Sequence, residues 1–185
     1  MMNQLKKILL IAILLILLLA GGSFGLANIY FKQAEVRVKS WQLMGQIASN
    51  EDYRQAMAYV NDALLFHPGH NQYLEIKAQI LEWGADEGFE SSRSTALQQA
   101  KALYLQSTAS RPTWPNTWAA LAMLKWRMQE FDGEMLMYLN NAFNTGKNAK
   151  EVKLAYQSLG EVLKQFYPDL YKQIEANINY YQTGL

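Results

Sequence analysis

The sequence predicts an all-α protein, with an N-terminal transmembrane helix followed by helical hairpins. Three observations predict it. The run from Ile8 to Ala20 is apolar without a break, and no charge falls between Lys7 and Lys32. Beyond that run, apolar residues recur at helical spacing, and no segment alternates as a half-buried strand does. Glycine and proline are scarce there, while Ala, Leu, Gln, Met, Trp and Tyr are plentiful, a mixture that favours helices.

The charge-free gap is long enough to cross a bilayer once, which takes about 20 residues. Two readings of it stand. In one, residues 1–31 are a signal-anchor that stays in the membrane. In the other, they hold a signal peptide cut after Ala27, where Gly25-Leu26-Ala27 offers small residues. Tyr30 and Phe31, followed by Lys32, read as an interfacial aromatic belt and favour the anchor. Lys6 and Lys7 favour a cytoplasmic N-terminus, while Lys32, Arg37 and Lys39 weaken that bias. Both readings export the remainder. The expected place is therefore the bacterial inner membrane, single-pass, with a periplasmic C-terminal domain. Gly21 and Gly25 form a small-xxx-small pair, able to bring two spans together as a weak homodimer.

With no cysteine in the chain, disulfides and thiolate sites are excluded. The net charge is +1 and no basic stripe is present, so nucleic acid is not an expected partner. The residues after the span are enough for one domain.

Residues 33–48 read as a helix able to continue the span, within a juxtamembrane segment 32–49. Asn50 is placed to cap a helix from about Glu51 to Phe66, with Tyr53, Ala56, Met57, Val60, Ala63 and Leu64 as its apolar stripe. Pro68-Gly69 stops it. A second helix runs from about Asn71 to Trp83. Gly84 to Ser94 holds Asp86, Glu87 and Glu90 and reads as an acidic loop. Thr95 with Gln98 resembles a capping box for a helix reaching about Thr108. Arg111-Pro112 breaks that helix, and Pro115 fits the first turn of the next. This one carries Trp118, Leu121, Ala122 and Lys125 to about Gln129. Further helices are expected over Phe131–Phe143, over Ala149–Phe166, and from Pro168 onward.

A spacing recurs along these helices. Ala56, Val60, Ala63 and Pro68 are spaced as Ala100, Tyr104, Ser107 and Pro112 are. Each proline is followed by a bulky residue, Leu74 or Trp118, and then by a small one, Ala78 or Ala122. Small residues let helices approach closely, and the large residue fills the adjacent hole. The pattern resembles the tetratricopeptide repeat, a helix-turn-helix unit of about 34 residues. The interval from Pro68 to Pro112 is wider, and the acidic loop accounts for the excess. A third unit keeps Met135, Leu139 and Ala142 but has Gly146 and Lys147 where a proline would stop it. The resemblance covers residues 50–145 and implies tetratricopeptide-like hairpins forming an α-solenoid. Residues 146–185 are left as C-terminal helices.

One stretch is more unusual. Ser110-Arg111-Pro112-Thr113-Trp114-Pro115-Asn116-Thr117-Trp118 has an Arg-Pro-x-Trp-Pro-x-x-Trp core. With the N-terminal span, Leu65-Phe66-His67-Pro68-Gly69-His70 and Leu81-Glu82-Trp83-Gly84-Ala85, it resembles the VpsP-type proteins of bacterial exopolysaccharide loci. That resemblance implies an accessory membrane protein of polysaccharide assembly or export, with no chemistry to transfer. The turn motif itself, Arg111, Pro112, Trp114, Pro115 and Trp118, has two readings. In the structural one, the prolines fix a turn and the tryptophans pack on it. Arg111 then bonds the terminal carbonyls of the preceding helix or stacks on Trp114. In the functional one, the motif is a docking knob for a protein or a sugar.

No residue pattern points to catalysis. His67 and His70 are the only histidines and have no further ligand nearby in sequence, so they read as surface turn residues and no metal is expected. No nucleophile elbow, phosphate loop or dinucleotide fingerprint is present, so no cofactor is expected either. Binding is the better reading. In tetratricopeptide arrays the first helix of each hairpin lines a groove. By that resemblance Gln72, Glu75, Gln79 and Glu82 face the groove from one repeat, and Asn116, Ala119, Met123 and Trp126 from the next. The competing reading makes Met123 and Trp126 core. The expected function is that of a membrane-anchored scaffold in exopolysaccharide biosynthesis that binds protein partners. The alternatives are a general envelope adaptor in secretion or division, and a polysaccharide-modifying enzyme using Glu87 or Glu90.

Overall fold

The computed structural model describes residues 2–182. Among them are eight helices and no strand: α1 (Met2–Met44), α2 (Asn50–Phe66), α3 (Asn71–Glu87), α4 (Arg93–Ser110), α5 (Pro115–Arg127), α6 (Gly133–Gly146), α7 (Lys150–Phe166) and α8 (Pro168–Gln182). The helices pack as consecutive pairs, α1 with α2, α3 with α4, α5 with α6 and α7 with α8. Each even-numbered helix up to α6 also touches the helix that follows it.

α1 has two halves with different surroundings. Its first half is long and apolar enough to cross a membrane. Ile8, Leu10, Leu14 and Leu18 are all exposed there. The helix then continues without a break, and Ala27, Phe31, Ala34, Val38 and Trp41 are buried against α2 and α3. Gly45, at a φ of 72° that suits glycine, ends it. The expected aromatic belt is overturned. Phe31 is only 4% exposed and stacks on Tyr73, and Tyr30 lies between Tyr59 and Phe66. Both rings belong to the core, because their side of α1 is the side that α2 and α3 cover.

Several expected boundaries shift for local reasons. Ser49, not Asn50, caps α2, accepting from Asp52 N at 3.1 Å. Ser92 caps α4, accepting from Thr95 N, so Thr95 is the capped residue and no capping box starts there. The acidic loop is mostly helix. α3 runs through Gly84 to Glu87 and ends at Gly88, whose φ of 77° forms a left-handed cap. Gly84 is helical because the fold needs its missing side chain. A Cβ there would sit 2.5 Å from the Tyr53 ring of α2.

The core divides along α3. Tyr73, Ile76 and Ile80 face α1 and α2, while Ala78, Leu81 and Ala85 join a larger cluster that runs through α8. The recurring residues of α2, α4 and α6 are all inside. Ala56, Val60, Ala63, Ala100, Ser107, Met135, Leu139 and Ala142 are each 0% exposed.

Candidate functional site

The odd-numbered helices line one groove of about 710 Å³. α3 contributes Gln72, Glu75, Gln79 and Glu82. α5 contributes Asn116, Ala119, Met123 and Arg127. α1 adds Gln42, and α7 adds Glu151, Leu154 and Ala155. Helical spacing explains the set, since residues three and four apart share a face.

Of the charged residues of this groove, Glu75, Glu82, Arg111 and Arg127 are already engaged, while Glu151 is exposed. Glu75 accepts from Arg111 Nη2 and Ser107 Oγ, each at 2.6 Å, and from Thr117 Oγ1 at 2.5 Å. One carboxylate therefore ties α3, α4 and α5 together. Glu82 accepts from the Tyr104 hydroxyl at 2.6 Å and pairs with Arg127 Nε at 3.0 Å. Burial pushes the Glu82 carboxyl above its usual value, opposed by Arg127 and by the Tyr104 hydrogen bond. Burial first, and then Glu82, raises the Tyr104 hydroxyl well above the usual phenol value. The amides are in a different state. Gln42, Gln72, Gln79 and Asn116 make no side-chain hydrogen bond among the described residues. They stand beside apolar Met123 and half-exposed Leu154.

Other singled-out residues lie elsewhere. Trp126 does not line this groove. It packs half-buried against the core and borders a smaller depression with Asp86, Arg93 and Gln129. Arg111 stacks on Trp114 at 5.0 Å and pairs with Glu75 rather than with helix-end carbonyls. Trp118 donates to Pro112 O at 2.7 Å and faces Tyr138, holding the turn motif closed. His67 and His70 are half-buried in an aromatic row with Phe24 and Tyr73, not free on a surface turn. Glu87 accepts from Ile47 N at 3.0 Å, and Glu90 accepts from the Tyr53 hydroxyl. Both carboxylates brace α1 and α2 against α3.

The sequence reading missed two features. Leu154 breaks the polar face of α7, and that misplaced apolar residue was the signal for a groove wall. Lys125 falls in the apolar stripe of α5 and is only 2% exposed. Its Nζ lies 2.5 Å from Glu130, 2.7 Å from Asp132 and 2.9 Å from Glu134. The three carboxylates converge as metal ligands would, but the ammonium takes the place of a cation. Burial works against the lysine charge, yet the hydrogen bonds it donates to Asp132, Glu130 and Glu134 raise its pKa. Glu134 is held down to about 2 by hydrogen bonds from Lys101, Tyr138 and Lys125. The chain matches no family model and no curated protein.

Proposed function

We propose that this chain is a membrane-anchored scaffold whose groove holds an extended segment of a protein partner. One observation carries the reading. The charges of α3 and α5 in the groove are satisfied internally, while its amides are free and lie beside Met123 and Leu154. Free amides bond an extended backbone, and the apolar pair anchors a side chain. This is a binding surface rather than a catalytic one.

The repeats are tetratricopeptide-like. The support is that the residues recurring at matched spacing on α2, α4 and α6 are the buried ones, and that helices pack as consecutive pairs. The N-terminal segment is an anchor that stays in place. The support is that α1 runs unbroken from its apolar half into the packed domain, where Ala27, the residue before the alternative cleavage point, belongs to the core. By resemblance to the VpsP-type proteins, the domain lies in the periplasm and its partners belong to exopolysaccharide assembly or export. A general envelope adaptor is the alternative, separated by whether deletion of the gene changes secreted polysaccharide.

The groove is tested by a photo-crosslinking residue placed at Gln79 or Asn116 in the full-length membrane protein, with Met137 on α6 as the control. Adducts to one partner from both groove positions and not from Met137 are expected. Gln79→Ala with Asn116→Ala removes two hydrogen bonds of about 1 kcal/mol each, so partner affinity falls roughly 30-fold. Unchanged affinity in that variant overturns the groove reading.

A further inference from the structure

The apolar span enters the helical domain without a linker, and this fixes which edge of the domain meets the bilayer. Ser23 Oγ donates to Phe66 O at 3.1 Å, and the Phe24 and His67 rings are 4.6 Å apart. The turn between α2 and α3 is therefore level with residues 23 and 24 of α1. A hydrocarbon core of about 30 Å takes about 20 helical residues, so a span starting at Ile8 ends close to Ala27. That turn is thus at the lipid boundary, not above it. Leu65, beside Phe66, is 74% exposed there.

A chain of contacts extends this edge. Ser110 Oγ bonds Asn71 Oδ1 at 2.5 Å, which joins the turn between α4 and α5 to the start of α3. Trp114, in that second turn, is 46% exposed with Arg111 stacked on its ring. Gly146, at the end of α6, packs so closely on Pro115 that a Cβ would approach to 2.5 Å. Lys147 and Lys150 follow it. Carboxylates are few along this edge, where Glu75 is paired with Arg111 and Glu151 is exposed. The opposite edge carries Glu51, Asp86, Glu87, Glu90, Glu130 and Asp132.

We propose that the edge built from the α2–α3 and α4–α5 turns docks on the headgroup layer of the membrane that α1 crosses, with Leu65 and Trp114 as its apolar contacts. The inference rests on reading α1 as a span. A tryptophan belongs at such an interface, where its ring is apolar and its N–H is wet. Lys147 and Lys150 match the negative charge of anionic headgroups. Docking in addition to the anchor holds the domain at one tilt and so aims the groove along the membrane surface. Leu65 enters deepest, Trp114 less deeply, and Lys147 stays in the headgroup water.

The chain has no cysteine, so single sites can be labelled in the full-length protein. A nitroxide is attached in turn to Leu15→Cys, Leu65→Cys, Trp114→Cys and Phe166→Cys, in vesicles of phosphatidylethanolamine and phosphatidylglycerol. Collision with oxygen reports lipid, and collision with a water-soluble nickel chelate reports solvent. The expected result is that positions 15 and 65 favour oxygen, 114 is intermediate and 166 favours nickel. A label at 65 as open to nickel as the label at 166, with 15 still in lipid, overturns the docking while the span stands. A label at 15 open to nickel instead overturns the membrane reading itself. Circular dichroism of each variant checks that the helices are intact.

Discussion

At the edge away from the apolar half of α1, α2, α4 and α6 begin on side-chain caps from Ser49, Ser92 and Asp132. At the edge near that apolar half, α3, α5 and α7 begin at His70, Trp114 and Ala149, and none of these supplies a cap bond. The far edge is closed by ions. Lys125 gathers three carboxylates, and Asp86 takes Arg93 and Arg127. The near edge is closed by rings and close contacts, Phe24 on His67, Arg111 on Trp114 and Pro115 on Gly146. A surface facing water can be finished with charges and caps. One left with open helix N-termini and basic residues still has binding capacity to use.

The largest effect is expected from breaking the far edge at its centre. Lys125→Ala leaves three carboxylates facing one another and is expected to cost about 3 kcal/mol in urea unfolding of the detergent-solubilised chain. The pH dependence has a definite sign. Glu134 is depressed from 4.5 to about 2, so its contribution is present above 4.5 and is lost as pH falls toward 2. Lys125 is raised, so its contribution is present below 10.5 and is lost only as pH rises through its elevated value. The gap between wild type and variant should be widest near neutral pH and should shrink below about pH 4.5. A constant gap would mean that the lysine acts by packing alone.

Gly84→Ala probes how far the close packing of α2 on α3 braces the far edge. The added methyl meets the Tyr53 ring, which is stacked on Phe89 and bonded to Glu90 and so cannot yield cheaply. Overpacking outweighs the gain in helix propensity, for a net loss of about 1.5 kcal/mol. A stabilised variant would show that the ring moves freely.

The smallest effects sharpen the contrast in caps. Ser92→Ala removes a cap bond and is expected to cost about 1 kcal/mol. Ala149→Asp adds one to α7 and is expected to gain about 0.5 kcal/mol. Equal and negligible shifts would mean that the edges do not differ in this way.

Much of the helical outline was legible. Pro68, Pro112, Pro115 and Pro168 mark the turns because proline acts on its own backbone and on its immediate neighbour. Ala56, Val60 and Ala63 were recognisable as core from their period alone. Gln72, Gln79, Asn116 and Met123, which the tetratricopeptide resemblance set on one face, line one depression. Gln42 and Leu154 were not legible as part of it, because they come from helices far away in sequence. Trp126 lies outside it, because Arg127, four residues after Met123, takes the groove-facing position on α5.

The sequence by itself determined an all-helical chain, one apolar helix long enough for a bilayer, and the positions of most turns. These follow from periodicity and from glycine and proline, which act within one or two helical turns. Tertiary structure alone decided the rest. Tyr30 and Phe31 face inward because α2 and α3 cover them. Gly84 stays helical because Tyr53 fills its space. Lys125 is buried because the turn after α5 wraps three carboxylates around it. The apolar half of α1 meets the α2–α3 turn because Ser23 and Phe24 contact Phe66 and His67. Each of these is a contact between separate elements, and whether such partners meet depends on how the helices pack, which no local pattern encodes.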